Sequence, residues 1–176
     1  MDARDYLDLM DARYSVRKFS DTQLTYEQLA DTLAAAKKSP SAKNTQPIRL
    51  CVVQSEQGLA KIDEATACRY GAQTVIIGAF DTQASLRGLG YETGDFGNID
   101  TSIALTNMAN AAAAAGLGSC WVGAYDASVI RANFNVPESY VLVDLLMLGN
   151  PAPDAAPSPR HAQSAPLEDL VVFDSY

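Results

Sequence analysis

The chain has one histidine, one tryptophan and three cysteines in 176 residues, and these scarcities exclude most common catalytic kits. His161 stands alone inside a proline-rich stretch, and there is no Gly-x-Ser-x-Gly elbow, so a Ser-His-Asp hydrolase is excluded. No His/Cys/Asp cluster has the spacing of a zinc site, and no Gly-x-x-x-x-Gly-Lys loop is present to cradle a nucleotide. Gly116-Leu-Gly118-Ser-Cys-Trp121 resembles the start of a dinucleotide fingerprint but lacks its third glycine. A predicted helix precedes it and a strand follows, the reverse of a Rossmann turn, so it reads as a helix stop followed by tight packing. Cys51, Cys68 and Cys120 are odd in number, far apart and outside any Cys-x-x-Cys pair. They read as buried free thiols in a reducing compartment. Positive charge is also short: 13 Lys and Arg against 21 Asp and Glu leave a formal charge of −8. That balance argues against nucleic acid or an anionic membrane as partner. If such a chain binds a phosphate, it must gather its few cations in one place. Long apolar runs are missing too. The most apolar stretch, Ala109 to Gly123, is Ala-rich and too short to span a membrane. The acidic, amphipathic start MDARDYLDLMDAR has no basic segment ahead of an apolar core, so it is no secretory signal. The expectation is a soluble, cytoplasmic protein.

What is present suits one globular domain spanning 1–176. Hydrophobic residues make up 48% and charged residues 19%, and a chain this long buries roughly 70% of its unfolded surface. The recurrence of Asp2, Asp5, Asp8 and Asp11 around Tyr6, Leu7, Leu9 and Met10 predicts a short helix with a solvated acidic side. Arg13 to Phe19 is basic and β-leaning. Thr25 and Gln28 form a capping box, Leu24 can staple to Leu29, and Leu29, Leu33 and Ala36 mark the buried side of a second helix that Pro40 stops. A turn-rich loop over 39–47 leads to a strand at 50–53. Ser55 caps a short helix carrying Leu59 and Ile62, and an apolar strand runs over 74–80. The Gly-rich stretch 81–97 has no clear period. A small-residue helix over 98–115 ends at Gly116, where a left-handed cap is wanted. A strand at 120–123 and a helix capped by Asp126 with Val129 and Ile130 follow, then the longest strand at 140–148. Asp144 in that strand reads as a polar residue on the outward face of an edge strand. Five of the eight prolines lie between Pro151 and Pro166, which predicts an extended, non-helical arm over 151–166 ending in the apolar Leu170 to Phe173. An apolar tail of this kind makes sense if it reaches over a partner subunit.

Three polar segments stand out. In Arg13-Tyr14-Ser15-Val16-Arg17, strand alternation puts Arg13, Ser15 and Arg17 on one side. Two guanidinium forks flanking a hydroxyl suit a phosphate and a polar ring, although a surface strand paired with nearby aspartates has the same pattern. Ser41, Asn44 and Gln46 offer hydrogen bonds from a stiff loop, which is otherwise ordinary. Arg160 is a single cation on the proline-stiffened arm.

Together with RYSVRKF at 13–19, the segments SPSAKNTQP at 39–47, GLGSCWVGAYD at 116–126 and LLMLGNP at 145–151 run in one order. In that order the chain resembles the FMN-dependent nitroreductases over most of its length. The resemblance implies an α+β fold, a central, mostly antiparallel sheet flanked by helices, in an intertwined homodimer with FMN sites at the interface. Arg13 and Ser15, with Tyr14 between them, are then expected at the phosphate and ribityl chain, and Arg17 at the flavin's pyrimidine edge. Pro40, Ser41, Ala42, Asn44 and Gln46 would reach the flavin of the other subunit. Trp121, Val122, Gly123 and Ala124 would lie along the isoalloxazine, and Arg160 would be the last phosphate ligand. Larger members often carry a Lys or Arg two residues before that arginine, where this chain has Ser158. The region between Phe80 and Asn98 is shorter than usual, and its Tyr91 and Phe96 are candidates either for the acceptor pocket or for ordinary packing.

No catalytic side chain is implied, because the flavin carries the redox chemistry while protein cations and backbone donors tune it. The implied activity is a ping-pong transfer of hydride from NAD(P)H, as co-substrate, to an electron-poor small molecule of nitroaromatic or quinone type. Reductive dehalogenation or another specialised reduction on the same fold is an alternative, as is a flavin carrier with little turnover.

Overall fold

The structure is a computed structural model and describes residues 2–88 and 94–175. In chain order its elements are α1 (Ala3–Ala12), α2 (Tyr26–Lys37), β1 (Ile48–Val53), α3 (Glu56–Ala65) and β2 (Thr74–Asp81). There follow α4 (Gly97–Ala114), β3 (Gly118–Val122), α5 (Ala127–Asn133), β4 (Tyr140–Gly149) and the single turn α6 (Leu167–Leu170). Two 3-10 turns lie at Ala42–Asn44 and Pro159–Ala162.

The helix starts follow side-chain chemistry. Thr25 accepts from Gln28 N–H while the Gln28 side chain accepts from the Thr25 N–H, which satisfies two donors that the helix cannot. Ser55 and Asp126 cap α3 and α5 from one side only, Ser55 accepting from the Gly58 N–H and Asp126 from the Ser128 and Val129 N–H groups. At the far end of α4, Gly116 takes φ +72 and the Leu117 N–H returns to the Ala112 carbonyl at 2.8 Å, closing the helix in a Schellman turn.

The four strands form one antiparallel sheet in the order β1-β2-β4-β3. On β4, Leu145 and Met147 join the core beneath α3 and α5, with Ile62, Ile77 and Ile130. Leu146 and Leu148 join the core beneath α2 and α4, with Leu29, Leu105 and Met108. A strand covered on both faces needs a continuous apolar run, hence LLML. Gly78 of β2 has no side chain because Leu105 Cδ1 would lie 2.9 Å from its Cβ. The β2–β4 register slips between Gly78 and Ala79, so Val143 has no partner and the bulge re-aims Asp144.

Several expectations need correction. Residues 13–19 are not a strand: they touch the rest of the protein through isolated bridges, Ser15 to Ser119 and Phe19 to Pro151. Two strands begin earlier than expected, at Ile48 and Gly118. Thr32, not Leu33, is fully buried on α2. Cys51 is exposed because it sits on the edge strand β1, and only Cys120 is buried. Asp144 lies on an interior strand, where it is half-buried, since β3 pairs outside β4. The proline-rich arm is not wholly extended. Pro159 starts a 3-10 turn, a position where its missing N–H costs nothing.

Among the described residues no helix is long and apolar enough to cross a membrane, and no three His, Cys, Asp or Glu side chains form a metal site.

Candidate functional site

Gly118 is the hinge on which the site is built. A Cβ there would stand 2.8 Å from Val16 Cγ2 and 3.1 Å from Pro151 Cγ, so only glycine lets three segments meet. The segment 13–19 is pinned on one side to β3, where the Val16 N–H donates to the Ser119 carbonyl at 2.9 Å. On the other side it carries the C-terminal arm. The Ala152 N–H donates to the Lys18 carbonyl at 3.0 Å, Ser20 N–H donates to the Asn150 carbonyl at 2.9 Å, and Lys18 pairs with Asp154.

This stapling brings the arm back beside residues 13–17 and leaves a half-open cavity of about 500 Å³ between them. Arg13, Tyr14, Ser15 and Arg17 line it from one end of the chain, and Ser158, Arg160 and His161 from the other. The expected gathering of cations is therefore present in a chain of net charge −8. No acidic side chain lines the cavity, and among the described residues no ion pair neutralises these three arginines. Strand alternation would have turned Tyr14 away. The irregular backbone lets it line the cavity, with its hydroxyl donating to the Ala155 carbonyl at 3.5 Å. Arg17 and Ser15 also approach the Cys120 thiol, whose ionisation burial pushes up and the Arg17 charge pulls back.

The Trp121–Ala124 segment leaves the end of β3 beside this cavity without lining it. Three contacts hold it. The Thr66 hydroxyl donates to the Ala124 carbonyl at 2.6 Å, and the Asp126 N–H donates to the Ala65 carbonyl at 2.9 Å. Burial pushes the Asp144 carboxyl up, and the neighbouring Trp121 side chain pulls it back. Asp144 Oδ1 would stand 2.8 Å from a Cβ on Gly123, so the bare backbone there has the carboxylate behind it. Val122 points into the core, whereas Gly123 and Ala124 are exposed.

The third segment sits elsewhere. None of Pro40, Ser41, Ala42, Asn44 and Gln46 lines the arginine cavity. The Ala42 N–H donates to Asp100 Oδ1 at 3.0 Å near the start of α4, and Asn107 donates to the Ser39 hydroxyl at 2.8 Å. Arg13 instead shares a cleft with Ala113 at the other end of α4. Thirteen residues of helix, roughly 20 Å, separate those anchors. The loop has an unusual backbone: Lys43, Asn44 and Gln46 all take left-handed φ, at 50, 57 and 50°. The Ser41 hydroxyl accepts from the Gln46 N–H at 3.0 Å, and Asn44 accepts from the Gln46 side chain at 2.9 Å.

Sequence reasoning missed Asp100, Thr66 and the cavity role of His161. Asp100 is buried within α4 and Thr66 at the end of α3, and neither belongs to any motif. Only its being the one charged residue of α4 hinted at the first. Tyr91 lies outside the described residues. Phe96 is the residue preceding α4 and is half-buried, and its N–H donates to the Leu86 carbonyl at 3.1 Å.

Comparison with known proteins places this arrangement. The sequence pattern of the nitroreductase family matches residues 10–70 and 69–150. A protein of Archaeoglobus fulgidus provisionally named NADH dehydrogenase/NAD(P)H nitroreductase is 31% identical over 152 residues, covering 82% of this chain and 84% of its own. The crystal structure of a nitroreductase family protein from Clostridium difficile 630 superimposes with a TM-score of 0.89 at 29% identity, covering 97% of this chain and 98% of that one. An Exiguobacterium sibiricum structure solved in complex with FMN shares the fold, with a TM-score of 0.82 at 20% identity over 98% of this chain and 99% of its own. By sequence and by fold alike, the chain belongs to the nitroreductase family.

Proposed function

We propose that the protein is an FMN-dependent oxidoreductase that takes hydride from NAD(P)H and reduces an electron-poor acceptor of nitroaromatic or quinone type by a ping-pong cycle. The observation that carries this reading is the cavity of three unneutralised arginines in an acidic chain. Like charges held together cost stability unless an anion sits among them. A phosphate monoester fits the donor set, because Arg offers directional, charge-assisted bonds and Ser15 adds a hydroxyl.

When bound, FMN would supply the two-electron chemistry, which explains why no acid–base pair is needed. Arg13, Ser15 and Arg160 would hold its phosphate end. Arg17, exposed but near enough for its charge to act on Cys120, would place a positive charge at the pyrimidine edge and favour negative charge there. The exposed backbone of Gly123 and Ala124 would lie along the ring, stiffened from behind by Asp144 and Thr66. The 40–46 loop would serve the flavin of a second copy, a reading supported by its distance from the arginine cavity along α4. Its three left-handed residues fit a functional contact, since such strain collects where a chain must present fixed groups. The site is then complete only in a homodimer.

Purified protein should be yellow, lose that colour on mixing with NADH or NADPH in a stopped-flow instrument, and sediment as a dimer. A colourless protein that cannot be loaded with FMN would refute the reading. A yellow protein that no nicotinamide bleaches would instead be a flavin carrier.

A further inference from the structure

A second polar constellation lies at the β1 edge of the sheet, and the reading above gives it no part. Arg49, the second residue of β1, donates through Nη1 to the Gln46 carbonyl at 3.2 Å and the Ile48 carbonyl at 3.0 Å. Its Nη2 donates to Asp81 Oδ2 and its Nε to the Tyr140 hydroxyl, each at 3.3 Å. The guanidinium carbon also stands 5.8 Å from the centre of the Tyr140 ring. Asp81 ends β2 and Tyr140, opposite it in the ladder, begins β4, so this one side chain ties three strands together. Only a planar, forked cation serves acceptors in so many directions.

What the brace holds is Gln46. That residue has φ +50, yet Pro47 follows it, and a proline ring pushes the residue before it toward extended backbone. Gln46 therefore keeps a conformation that its own sequence opposes, and its contacts must impose it. Its N–H donates to the Ser41 hydroxyl at 3.0 Å, and its side-chain Nε2 donates to Asn44 Oδ1 at 2.9 Å. Both of those partners belong to the same loop and can turn with it. The bond from Arg49 to the Gln46 carbonyl comes from the sheet. The Gln46–Asn44 bond makes the two amides one unit, and both residues are exposed.

We propose that Arg49 is a positioning residue for flavin binding: it holds Gln46, and Asn44 through Gln46, in the arrangement with which the 40–46 loop meets the flavin of a second copy. This rests on the FMN reading. Without the guanidinium, the backbone at Gln46 relaxes toward the extended form, which turns the Gln46 amide and takes Asn44 with it. A lysine keeps the charge but cannot serve the carbonyl, the carboxylate and the phenol together, so it does not substitute.

The test compares FMN affinity, read by quenching of flavin fluorescence, with urea unfolding of the flavin-free protein. Arg49→Gln and Arg49→Lys should each bind FMN about tenfold more weakly than wild type, the worth of a misplaced hydrogen bond or two. If Arg49→Gln does not fold, Arg49→Lys carries the comparison. In a Gln46→Ala background the positioned amide is gone. There the same Arg49 substitutions should cost no further affinity, while their effect on unfolding persists. Equal losses of affinity in both backgrounds, or no loss in either, would make Arg49 a structural residue only and overturn the proposal. Hydrogen exchange needs no flavin: the Gln46 amide should exchange faster in Arg49→Lys than in wild type, and an unchanged rate would also overturn it. A wild type that binds no FMN would overturn the FMN reading itself, and the proposal with it.

Discussion

Asp100 ties the 40–46 loop to α4, and two substitutions separate its charge from its hydrogen bond. The residue is 2% exposed; Oδ1 accepts the Ala42 N–H at 3.0 Å, and Oδ2 is buried without a partner among the described residues. The loop it holds contains three non-glycine residues in the left-handed region, at about 1 kcal/mol each or more. Asp100→Ala leaves the Ala42 N–H without its acceptor, at a cost of about 1–3 kcal/mol. Relief of the buried charge places the net loss at the lower end. For a domain of this length, a loss of about 1 kcal/mol lowers Tm by about 2–4 °C. Asp100→Asn keeps an acceptor oxygen and removes the charge. Burial pushes the Asp100 carboxyl up, with a smaller contribution from the nearby Asp95 charge, so folding favours its protonated form. That stabilisation is present in acid, below the ordinary carboxylate range near about pH 4, and is lost as pH rises through the folded-state titration. Asp100→Asn should therefore match or exceed wild-type stability at neutral pH, with the advantage closing in acid. Urea unfolding at both pH values, with hydrogen exchange of the Ala42 amide as a local probe, makes the measurement. If Asn loses as much as Ala at neutral pH, the charge itself is required and the reasoning fails.

Arg13→Ala should weaken FMN binding by about tenfold or more, the loss of one charged contact, while the flavin-free protein becomes no less stable. Equilibrium dialysis showing unchanged affinity would remove Arg13 from the phosphate site. Gly97→Ala places a Cβ 2.1 Å from Cδ2 of the buried Phe80 ring. That overpacking should cost about 2 kcal/mol and lower Tm by about 4–8 °C in a thermal scan. Adding Phe80→Leu should recover part of the loss, and strict additivity of the two changes would show that the clash is not what Gly97 avoids.

The sequence was most informative where a local rule and the tertiary structure agree. Thr25, Ser55, Asp126 and Gly116 mark helix ends because each satisfies a backbone group within a few residues of itself. Strand order is a different kind of fact. Nothing near Asp144 says that β3, which precedes it, will pair outside β4, and so an interior carboxylate read as an edge one. Residues 13–19 alternate like a strand, but their hydrogen bonds are divided between β3 and the arm, so no ladder forms. The arginines could be picked out as rare cations. Their convergence could not, because it depends on Gly118 admitting Val16 and Pro151 to the same place. Asp100 was illegible for a similar reason: its partner Ala42 lies 58 residues earlier and is bound through its backbone.

The arginine cavity draws on both ends of the chain, and the Asp11–His161 contact that closes it spans 150 residues. Synthesis runs from the N-terminus, so the sheet and its helices can assemble on the ribosome while this cavity still has only one wall. A chain interrupted before Ser158 would keep every described strand and both core layers yet lack three of the seven residues that line the cavity. Capture of a phosphate-bearing ligand, and the stability it adds, would thus be confined to copies in which the arm is present.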